Sequence, residues 1–334
     1  MELQRPYLLF LGDVADQLAA KTAQGIKDWR PEWCLGQLRL PGCKADLEIP
    51  DMTLEQAAEA GVRTLVLGVA NRGGVFSPQW IGIIEQALGL VMDVASGLHS
   101  KLTDVPEIAE AAGRHNRQLF DLRHPTQTFD VANGAKRPGK RMLAVGTDCS
   151  IGKMYTALAF EKEMQARGMN ASFRATGQTG IFIAGSGVSI DAVVADFISG
   201  SVEWLCPANS PDHWDLVEGQ GSLFHPSFAG VTLGLIHGAQ PDALVLCHEP
   251  TRTHMRGLPH YPLPSIEETI EAAVGHAKLV NPAATCIGLA VNTKALSAED
   301  ATNYLADLEK KHGLPAVDPV RNGVSRLVDA LAGI

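Results

Sequence analysis

The sequence predicts an α/β protein of two domains built on parallel sheets. Short continuous apolar runs alternate with helical patterns along the chain, as in parallel strands joined by crossover helices. The segment 146–153 reads Gly-Thr-Asp-Cys-Ser-Ile-Gly-Lys between a predicted strand and a predicted helix. A stretch rich in proline, glycine and basic residues separates the two halves. We therefore predict a Rossmann-like domain at 1–124, a linker at 125–140, and a P-loop NTPase-like parallel-sheet domain at 141–334.

Composition limits the function. The 334 residues carry a net charge of −9, which disfavours binding to nucleic acid or to membrane surfaces. No apolar stretch has the length of a membrane span, and the N-terminus lacks the basic segment of a signal peptide. The six cysteines form no CxxC pair, so we interpret them as reduced thiols. We expect a cytoplasmic protein that acts on a small molecule.

The first domain is predicted from five apolar runs. Thr53 and Gln56 have the spacing of a capping box at the start of a helix. No GxGxxG motif follows the first strand, so we assign this domain no dinucleotide. The predicted strands are 7–11, 34–38, 64–69, 91–94 and 118–122, and the predicted helices begin at Ala15 or span 53–60, 80–90 and 105–116.

The second domain is predicted to contain about six parallel strands. Ser265 with Glu268 forms a capping-box pattern, and Ser297 with Asp300 forms a looser one, because the Asp side chain is shorter. The predicted strands are 142–145, 171–175, 214–218, 243–247, 286–291 and 315–318. The predicted helices are 155–167, 191–198, 266–278, 301–311 and a C-terminal one, with 227–237 a helix or an apolar turn.

The glycine-bounded loop is predicted to hold phosphate, because its backbone N–H groups and the following helix N-terminus attract anions. The alternative is a structural glycine-rich turn. Met154 stands where a Ser or Thr would hold Mg²⁺. Thr156 leaves the helix about 200° away and does not replace it. A ligand that keeps its phosphates, such as coenzyme A, fits this loop. The predicted cofactor-binding residues are Gly146, Thr147, Asp148, Cys149, Ser150, Ile151, Gly152 and Lys153.

Three residues are candidates for a catalytic base. Glu218 ends a predicted strand within Glu-Gly-Gln-Gly-Ser, and strand carboxyl ends face the ligand crevice. Asp148 places a carboxylate near the phosphates, so we expect it to interact with an amine, a metal or Lys153. His225 follows in the chain, although a single histidine is more often a packed or capping residue. For Glu218 the alternative is a carboxylate satisfied within its own loop.

Cations are needed to hold the carboxylates of a substrate. Arg174 lies with Gln178 at the end of a neighbouring strand, where an arginine fork can bind a carboxylate. The alternative is a salt bridge from Arg174 to Glu218 or Asp148. Gln220 is a candidate donor to an oxyanion.

Two further loops carry candidate arginines. Arg252 belongs to the polar segment 248–260, whose three histidines lack the spacing of a zinc site, so we expect no metal there. Arg72 follows a predicted strand in Asn-Arg-Gly-Gly, where a plain βα turn is equally compatible.

The motifs resemble one family. The loop at 146–153, Arg-Ala-Thr-Gly-Gln-Thr-Gly at 174–180 and Glu-Gly-Gln-Gly-Ser at 218–222 are similar to a family long catalogued as uncharacterised and sometimes labelled an NAD-dependent epimerase. One branch is the DgcN-type D-glutamate (D-amino acid) N-acetyltransferases. The resemblance covers the whole chain. It implies an acetyl-CoA-dependent N-acetyltransferase that forms a homodimer and requires no metal.

A more distant resemblance links the loop and Val-Glu-Gly-x-Gly to dethiobiotin synthetase, whose loop continues with Thr where this chain has Met154. The resulting hypothesis is transfer of acetyl from acetyl-CoA to the α-amine of a D-amino acid, D-glutamate first. Glu218 is the expected base, with Asp148 or His225 behind it. The alternatives are an ATP- and Mg²⁺-dependent ligase or kinase acting on a small carboxylate, and a nucleotide-binding regulator without turnover.

Overall fold

The computed structural model describes residues 3–69 and 76–334. The chain forms two compact units, one of Met1–Thr126 with Gly177–Ala192 and one of Gln127–Thr176 with Val193–Ile334. The domain limits given above remain a prediction. What the structure adds is that the short segment Gly177–Ala192 groups with the first unit.

The first unit contains a five-stranded parallel sheet of order β2-β1-β3-β4-β5. The first strand and the third are buried along their whole lengths, which explains their continuous apolar sequences. The strands are β1 (Tyr7–Gly12), β2 (Cys34–Arg39), β3 (Thr64–Leu67), β4 (Asp93–Ser96) and β5 (Leu119–Asp121).

The second unit contains a six-stranded parallel sheet of order β11-β10-β9-β6-β8-β7, so the predicted parallel-sheet architecture is confirmed. β6, the strand before the glycine-bounded loop, lies in the middle between β8 and β9. The carboxyl ends of these three strands therefore meet at the loop. The strands are β6 (Lys140–Gly146), β7 (Ala171–Arg174), β8 (Trp214–Val217), β9 (Ala243–His248), β10 (Thr285–Val291) and β11 (Ala316–Val317).

The helices follow most of the predicted patterns. They are α1 (Lys21–Trp29), α2 (Leu54–Glu59), α3 (Pro78–Gly89), α4 (Pro106–His115), α5 (Lys153–Ala166), α6 (Gln178–Ala184), α7 (Ile198–Leu205), α8 (Ala229–Ala239), α9 (Ile266–Lys278), α10 (Ala298–His312) and α11 (Ser325–Asp329). Within the described residues, no helix has the length and apolar character needed to cross a membrane.

Local capping chemistry was predictable from the sequence. Thr53 and Ser265 both form the predicted reciprocal capping boxes, with Gln56 and Glu268. At α10, Ser297 accepts the N–H of Asp300, but the Asp300 carboxylate accepts from the Ser297 hydroxyl at 2.7 Å. The shorter side chain thus gives the looser cap that its length predicts.

Three helices differ from the sequence pattern. The helix predicted to begin at Ala15 begins at Lys21, after a 3₁₀ turn at Gln17–Ala20 whose cap is Asp16. The helix predicted at 191–198 begins at Ile198 instead, because the buried positions Ile198, Val202 and Leu205 recur at helical spacing from there. Short 3₁₀ turns at Ile190–Ala192 and Ala195–Phe197 precede it. Helix α6 was not predicted, since its sequence Gln-Thr-Gly-Ile-Phe-Ile-Ala has no polar face.

Candidate functional site

The loop between β6 and α5 is closely folded. Ser150 has φ 53° and Gly152 has φ 111°, both in the left-handed region. A Cβ at Gly146 would lie 2.6 Å from Cδ1 of Ile151 and 3.2 Å from the carbonyl oxygen of Cys247, so a larger residue there would displace this buried side chain. The two left-handed residues reverse the chain just before α5 begins at Lys153. The helix N-terminus therefore opens directly from the loop.

Lys153 places an ammonium group inside the second unit. Its side chain is 6% exposed, and Nζ donates to the carbonyl of Asp148 at 2.7 Å. Burial lowers the pKa of Lys153 below its ordinary value. An ammonium has three donors, and this contact uses one of them. An anion next to Nζ would supply the negative charge and the hydrogen-bond acceptors that replace the water lost on burial.

The first turn of α5 supplies the other donors. Lys153, Met154 and Tyr155 are its first three residues, and the N–H groups of a first helical turn have no acceptor within the helix. Thr156 does not replace the missing hydroxyl at 154, because its Oγ1 donates to the carbonyl of Gly152 at 3.0 Å and lies against Cys247. The loop thus has the features of a phosphate cradle and lacks its usual Mg²⁺ ligand.

Arg252 connects the segment after β9 to the loop between β6 and α5. Its Nη1 donates to Oδ2 of Asp148 at 2.8 Å and to the carbonyl of Cys149 at 2.6 Å. Its Nη2 donates to Oε2 of Glu249 at 2.7 Å. The backbone N–H of Arg256 adds a second donor to Oδ2 of Asp148, also at 2.8 Å. Arg252 therefore orders the loop instead of standing free for a substrate.

Glu218 follows β8 directly and is held in one orientation. It is 4% exposed, and its Oε2 accepts from the backbone N–H of Thr176 at 2.9 Å. Its Oε1 accepts from Nε2 of Gln220 at 3.1 Å. A Cβ at Gly219 would lie 1.6 Å from the carbonyl oxygen of Ala144 and 2.8 Å from Cδ of Lys153. Glycine there lets the Glu218 segment pass directly over β6 and beside the lysine.

His225 lies beside two loop residues. A carboxylate oxygen of Asp148, Sγ of Cys149 and a ring nitrogen of His225 are all within 4.8 Å of one another. The imidazole is buried and stacks on Phe228. Burial raises the pKa of Cys149, so the thiol is not activated by its position near a helix N-terminus. The three candidate bases thus lie around one loop.

His248 ends β9 on the other side of β6. Its Nδ1 lies 3.1 Å from Oγ1 of Thr147, within hydrogen-bond distance. Burial lowers the pKa of His248 to about 4, so the imidazole is neutral near pH 7. His248 also lines a cavity of about 390 Å³ together with Tyr304 and Lys311. The ends of β6, β8 and β9 therefore all contribute polar groups at the loop.

Comparison with known proteins agrees with this architecture. The domain of unknown function DUF1611_C, a P-loop domain, matches residues 130–328, and DUF1611_N, a Rossmann-like domain, matches residues 38–125. The chain belongs to the DUF1611 family. A crystal structure of a DUF1611 family protein from Anabaena variabilis has a TM-score of 0.90 and 31% identity, with 99% of this chain and 100% of that one covered.

Two curated relatives of this chain carry an activity in their names. A D-glutamate N-acetyltransferase of Tritonibacter scottomollicae is 58% identical over 332 residues, covering 99% of this chain and 100% of that protein. A D-glutamate N-acetyltransferase of a Pseudoalteromonas species is 51% identical over 328 residues, covering 98% of this chain and 99% of that protein. The resemblance drawn from the motifs is confirmed.

The other predicted substrate residues of this chain are Arg174, Gln178 and Arg72. Arg174 donates through Nε to Oδ1 of the buried Asp215 at 2.7 Å, so it already has a carboxylate partner. Gln178 belongs to the segment that groups with the first unit. Its side chain packs so closely on Gly97 that a Cβ added to Gly97 would overlap it. Arg72 lies outside the described residues.

The sequence patterns did not reveal three residues that contact the predicted site residues. Thr176, which bonds Glu218 through its N–H and its Oγ1, is part of the motif at 174–180, but only the sheet order brings the two segments together. Arg256 supplies a backbone donor, which no side-chain pattern can reveal. Asp215 alternates with apolar residues in β8 and could have been suspected as a buried partner for a neighbouring strand.

Proposed function

We propose that this protein transfers the acetyl group of acetyl-CoA to the α-amine of D-glutamate. The observation that carries the proposal is full-length identity of 58% and 51% to two proteins named D-glutamate N-acetyltransferase. The match extends over both units, so it includes every element that builds the loop site. Other D-amino acids are secondary candidates as acceptors.

The loop supports an acyl donor that keeps its phosphates. Coenzyme A has a diphosphate and a 3′-phosphate, and acetyl transfer breaks neither. The buried ammonium of Lys153 and the N-terminus of α5 provide charge and donors for one of these groups. Met154 removes the hydroxyl that phosphoryl transfer would use to hold Mg²⁺. The net charge of −9 requires that an anionic donor be captured locally, by such a cradle.

The reaction needs a base, because an ammonium group is not a nucleophile. We propose Glu218, whose carboxylate is fixed by Thr176 and Gln220 next to the loop. The amine then attacks the thioester carbonyl, the tetrahedral oxyanion collapses, and the thiolate of coenzyme A leaves and takes up a proton. His225 is the second candidate base. Asp148 is paired with Arg252, so we assign it to loop positioning.

The oxyanion and the substrate carboxylates also need partners. Backbone N–H groups of the loop are our candidates for the oxyanion, since the amide of Gln220 already donates to Glu218. Arg256 is our candidate for a substrate carboxylate. Within the part of the chain described, its guanidinium has no hydrogen-bonding or ionic partner, whereas Arg174 and Arg252 are both paired with carboxylates.

We further propose that the enzyme acts in the cytoplasm as a homodimer. All six cysteines are free thiols, as expected in a reducing compartment. The homodimer is implied by the family resemblance, and its mass in solution, measured by light scattering, tests it. A single protomer mass at micromolar concentration would exclude it.

One assay separates acetyl transfer from the rival functions. The purified protein is incubated with acetyl-CoA and each of a panel of D- and L-amino acids, and free thiol and N-acetyl product are followed together. Acetyl transfer predicts one thiol released for each N-acetyl-D-glutamate formed. Parallel reactions with ATP and Mg²⁺ test for a ligase or kinase. Release of ADP, with no thiol released from acetyl-CoA in the presence of any D-amino acid, would contradict the proposal. Ligand binding without any product would indicate a regulator.

A further inference from the structure

Three metal-ligating side chains meet at the loop, although the sequence led us to expect no metal. Asp148 and Cys149 are neighbours in the loop, and His225 reaches them from the segment after β8. A carboxylate oxygen, Sγ and a ring nitrogen of these residues lie within 4.8 Å of one another. Ligand atoms in a tetrahedral zinc site are about 3.3–3.8 Å apart, as its bond lengths require. Movements of about 1 Å would therefore close the cluster around a cation.

The carboxylate of Asp148 is only half satisfied. Its Oδ2 accepts from the Arg252 side chain and the Arg256 backbone, whereas Oδ1 is buried and has no hydrogen-bond partner in the described chain. The residue is 0% exposed, so water does not compensate for the missing donor at its surface. Burying an acceptor without a partner is costly. A cation bound through Oδ1 would satisfy this oxygen.

The imidazole of His225 has a backbone neighbour at each ring nitrogen. Its Nε2 lies 3.3 Å from the carbonyl of Arg256, and a metal-binding histidine commonly donates its second N–H to a backbone carbonyl. With Nε2 protonated in this way, Nδ1 would be the ligand atom of His225. The N–H of Ser227 points to Nδ1 at 3.2 Å, a long contact that a metal would replace.

We propose that Asp148, Cys149 and His225 form a mononuclear site for a divalent transition-metal cation, zinc foremost. One thiolate, one imidazole and one carboxylate are ligands that zinc accepts, and three protein ligands leave a fourth position open to water or a substrate oxygen. Mg²⁺ prefers oxygen ligands and does not match this set. The loop that lacks a hydroxyl at position 154 thus offers softer ligands close by.

The site would present two anionic ligands to a divalent cation, beside the cationic side chains of Lys153, Arg252 and Arg256. On coordination the Cys149 thiol releases its proton to solvent, and the resulting thiolate joins the Asp148 carboxylate, which Arg252 also contacts. A cation with an open position can polarise a carbonyl oxygen or bind a carboxylate. The proposal goes beyond acetyl transfer and does not depend on it, because the metal is measured without substrate.

Cobalt and zinc uptake test the proposal. The purified full-length chain is stripped with chelator, dialysed, and titrated with Co²⁺ alone and with Zn²⁺ alone. We expect one ion per chain, a sulfur-to-cobalt charge-transfer band in the near ultraviolet, and a higher Tm with Zn²⁺. Cys149→Ser should abolish the band, and His225→Ala should abolish stoichiometric uptake.

Cys43→Ser is the matched control, because Cys43 is a half-buried thiol in the first unit. It should keep the band, the stoichiometry and the Zn²⁺-dependent rise in Tm. Failure of the wild-type chain to take up either ion would overturn the proposal, as would a charge-transfer band that persists in Cys149→Ser. Circular dichroism of each metal-free variant confirms that it is folded. Either outcome leaves the acetyl-transfer assay to be judged separately.

Discussion

Glu218 and His248 illustrate how burial sets the chemistry of single residues. Both lie at carboxyl ends of strands that flank β6, and both are held by threonine from neighbouring segments. Glu218 keeps a fixed carboxylate beside the loop, whereas His248 keeps a neutral ring. The sequence predicts Glu218 as a base because its carboxylate follows a strand end, beside glycines that leave it accessible. It did not identify the neutral state of His248, which depends on the residues that bury it.

Replacing Glu218 with Gln should remove the base and preserve the shape of the side chain. We expect kcat to fall about 10²–10⁴-fold, the usual contribution of a general base, with little change in KM for acetyl-CoA. Glu271→Gln, at an exposed position of α9, is the control and should retain wild-type kcat. Steady-state thiol release measures both variants. A near-normal kcat in Glu218→Gln would contradict Glu218 as the base and leave His225 as the candidate.

His248 should make folding stability depend on pH. Its pKa is lowered by burial from 6.5 to about 4, so between these values the unfolded chain binds more protons than the folded one. Its contribution to stability is complete above pH 6.5 and is lost as the pH falls toward 4, by at most about 3 kcal/mol. Urea unfolding of His248→Asn should therefore show a smaller loss between pH 7 and pH 4.5 than the wild type.

The exposed His254 provides the control for this pH measurement. His254→Asn should lose as much stability as the wild-type chain over the same pH range. Parallel curves for His248→Asn and the wild type would mean that the His248 ring is not buried in its neutral form.

Among the elements of the second unit, the site depends on how closely the segment after β8 approaches β6. Gly219 is the contact point, because a methyl group there would overlap the carbonyl of Ala144. In the sequence this glycine is only one residue of a motif. A glycine is required there because β6 lies so close, and a local sequence pattern does not show which strand is the neighbour.

Gly219→Ala should destabilise the protein by about 1–3 kcal/mol, the range of overpacking in a filled core. Gly275→Ala is a matched control, since Gly275 lies in α9 with an ordinary helical conformation and nothing within 4 Å of the position that an alanine Cβ would take. That change should stabilise the protein, by up to about 1 kcal/mol. Thermal unfolding of the two variants should shift Tm in opposite directions. Equal shifts would contradict the close approach.

Features set by neighbouring residues were predicted from the sequence, whereas features set by contacts between distant segments were not. Both capping boxes and the six strands of the second sheet were predicted correctly, since caps and buried parallel strands leave signals within a few residues. Helix α6 was missed because its sequence has no polar face. The partners of Arg174 and Arg252 were not predicted, because ion pairs depend on which segments the sheet brings together.

The whole molecule combines a negative net charge with a buried ammonium group at the loop. A chain of net charge −9 repels anionic ligands at long range, so binding of a phosphate carrier must come from short-range contacts. Lys153 and the N-terminus of α5 are the contacts that the second unit provides. The agreement with the crystal structure of a family member, at a TM-score of 0.90, indicates that this two-unit architecture is shared within the family.

Lys153→Ala isolates the contribution of the ammonium group. Loss of a charge-assisted hydrogen bond to phosphate should weaken coenzyme A binding about 10-fold or more. Lys162→Ala, at an exposed position of the same helix, removes a positive charge without touching the loop and should bind as the wild type does. Comparing the two variants separates local contact from overall charge.

Binding of coenzyme A by the loop without Mg²⁺ is the property on which the proposed function most depends. The decisive measurement is isothermal titration of the wild-type protein, Lys153→Ala and Lys162→Ala with coenzyme A in Mg²⁺-free buffer, with ATP and Mg²⁺ as the comparison ligand. We predict that coenzyme A binds the wild type and Lys162→Ala equally, and that Lys153→Ala weakens binding by the factor given above. Equal binding of coenzyme A by Lys153→Ala, or tight binding of ATP only when Mg²⁺ is present, would contradict this prediction.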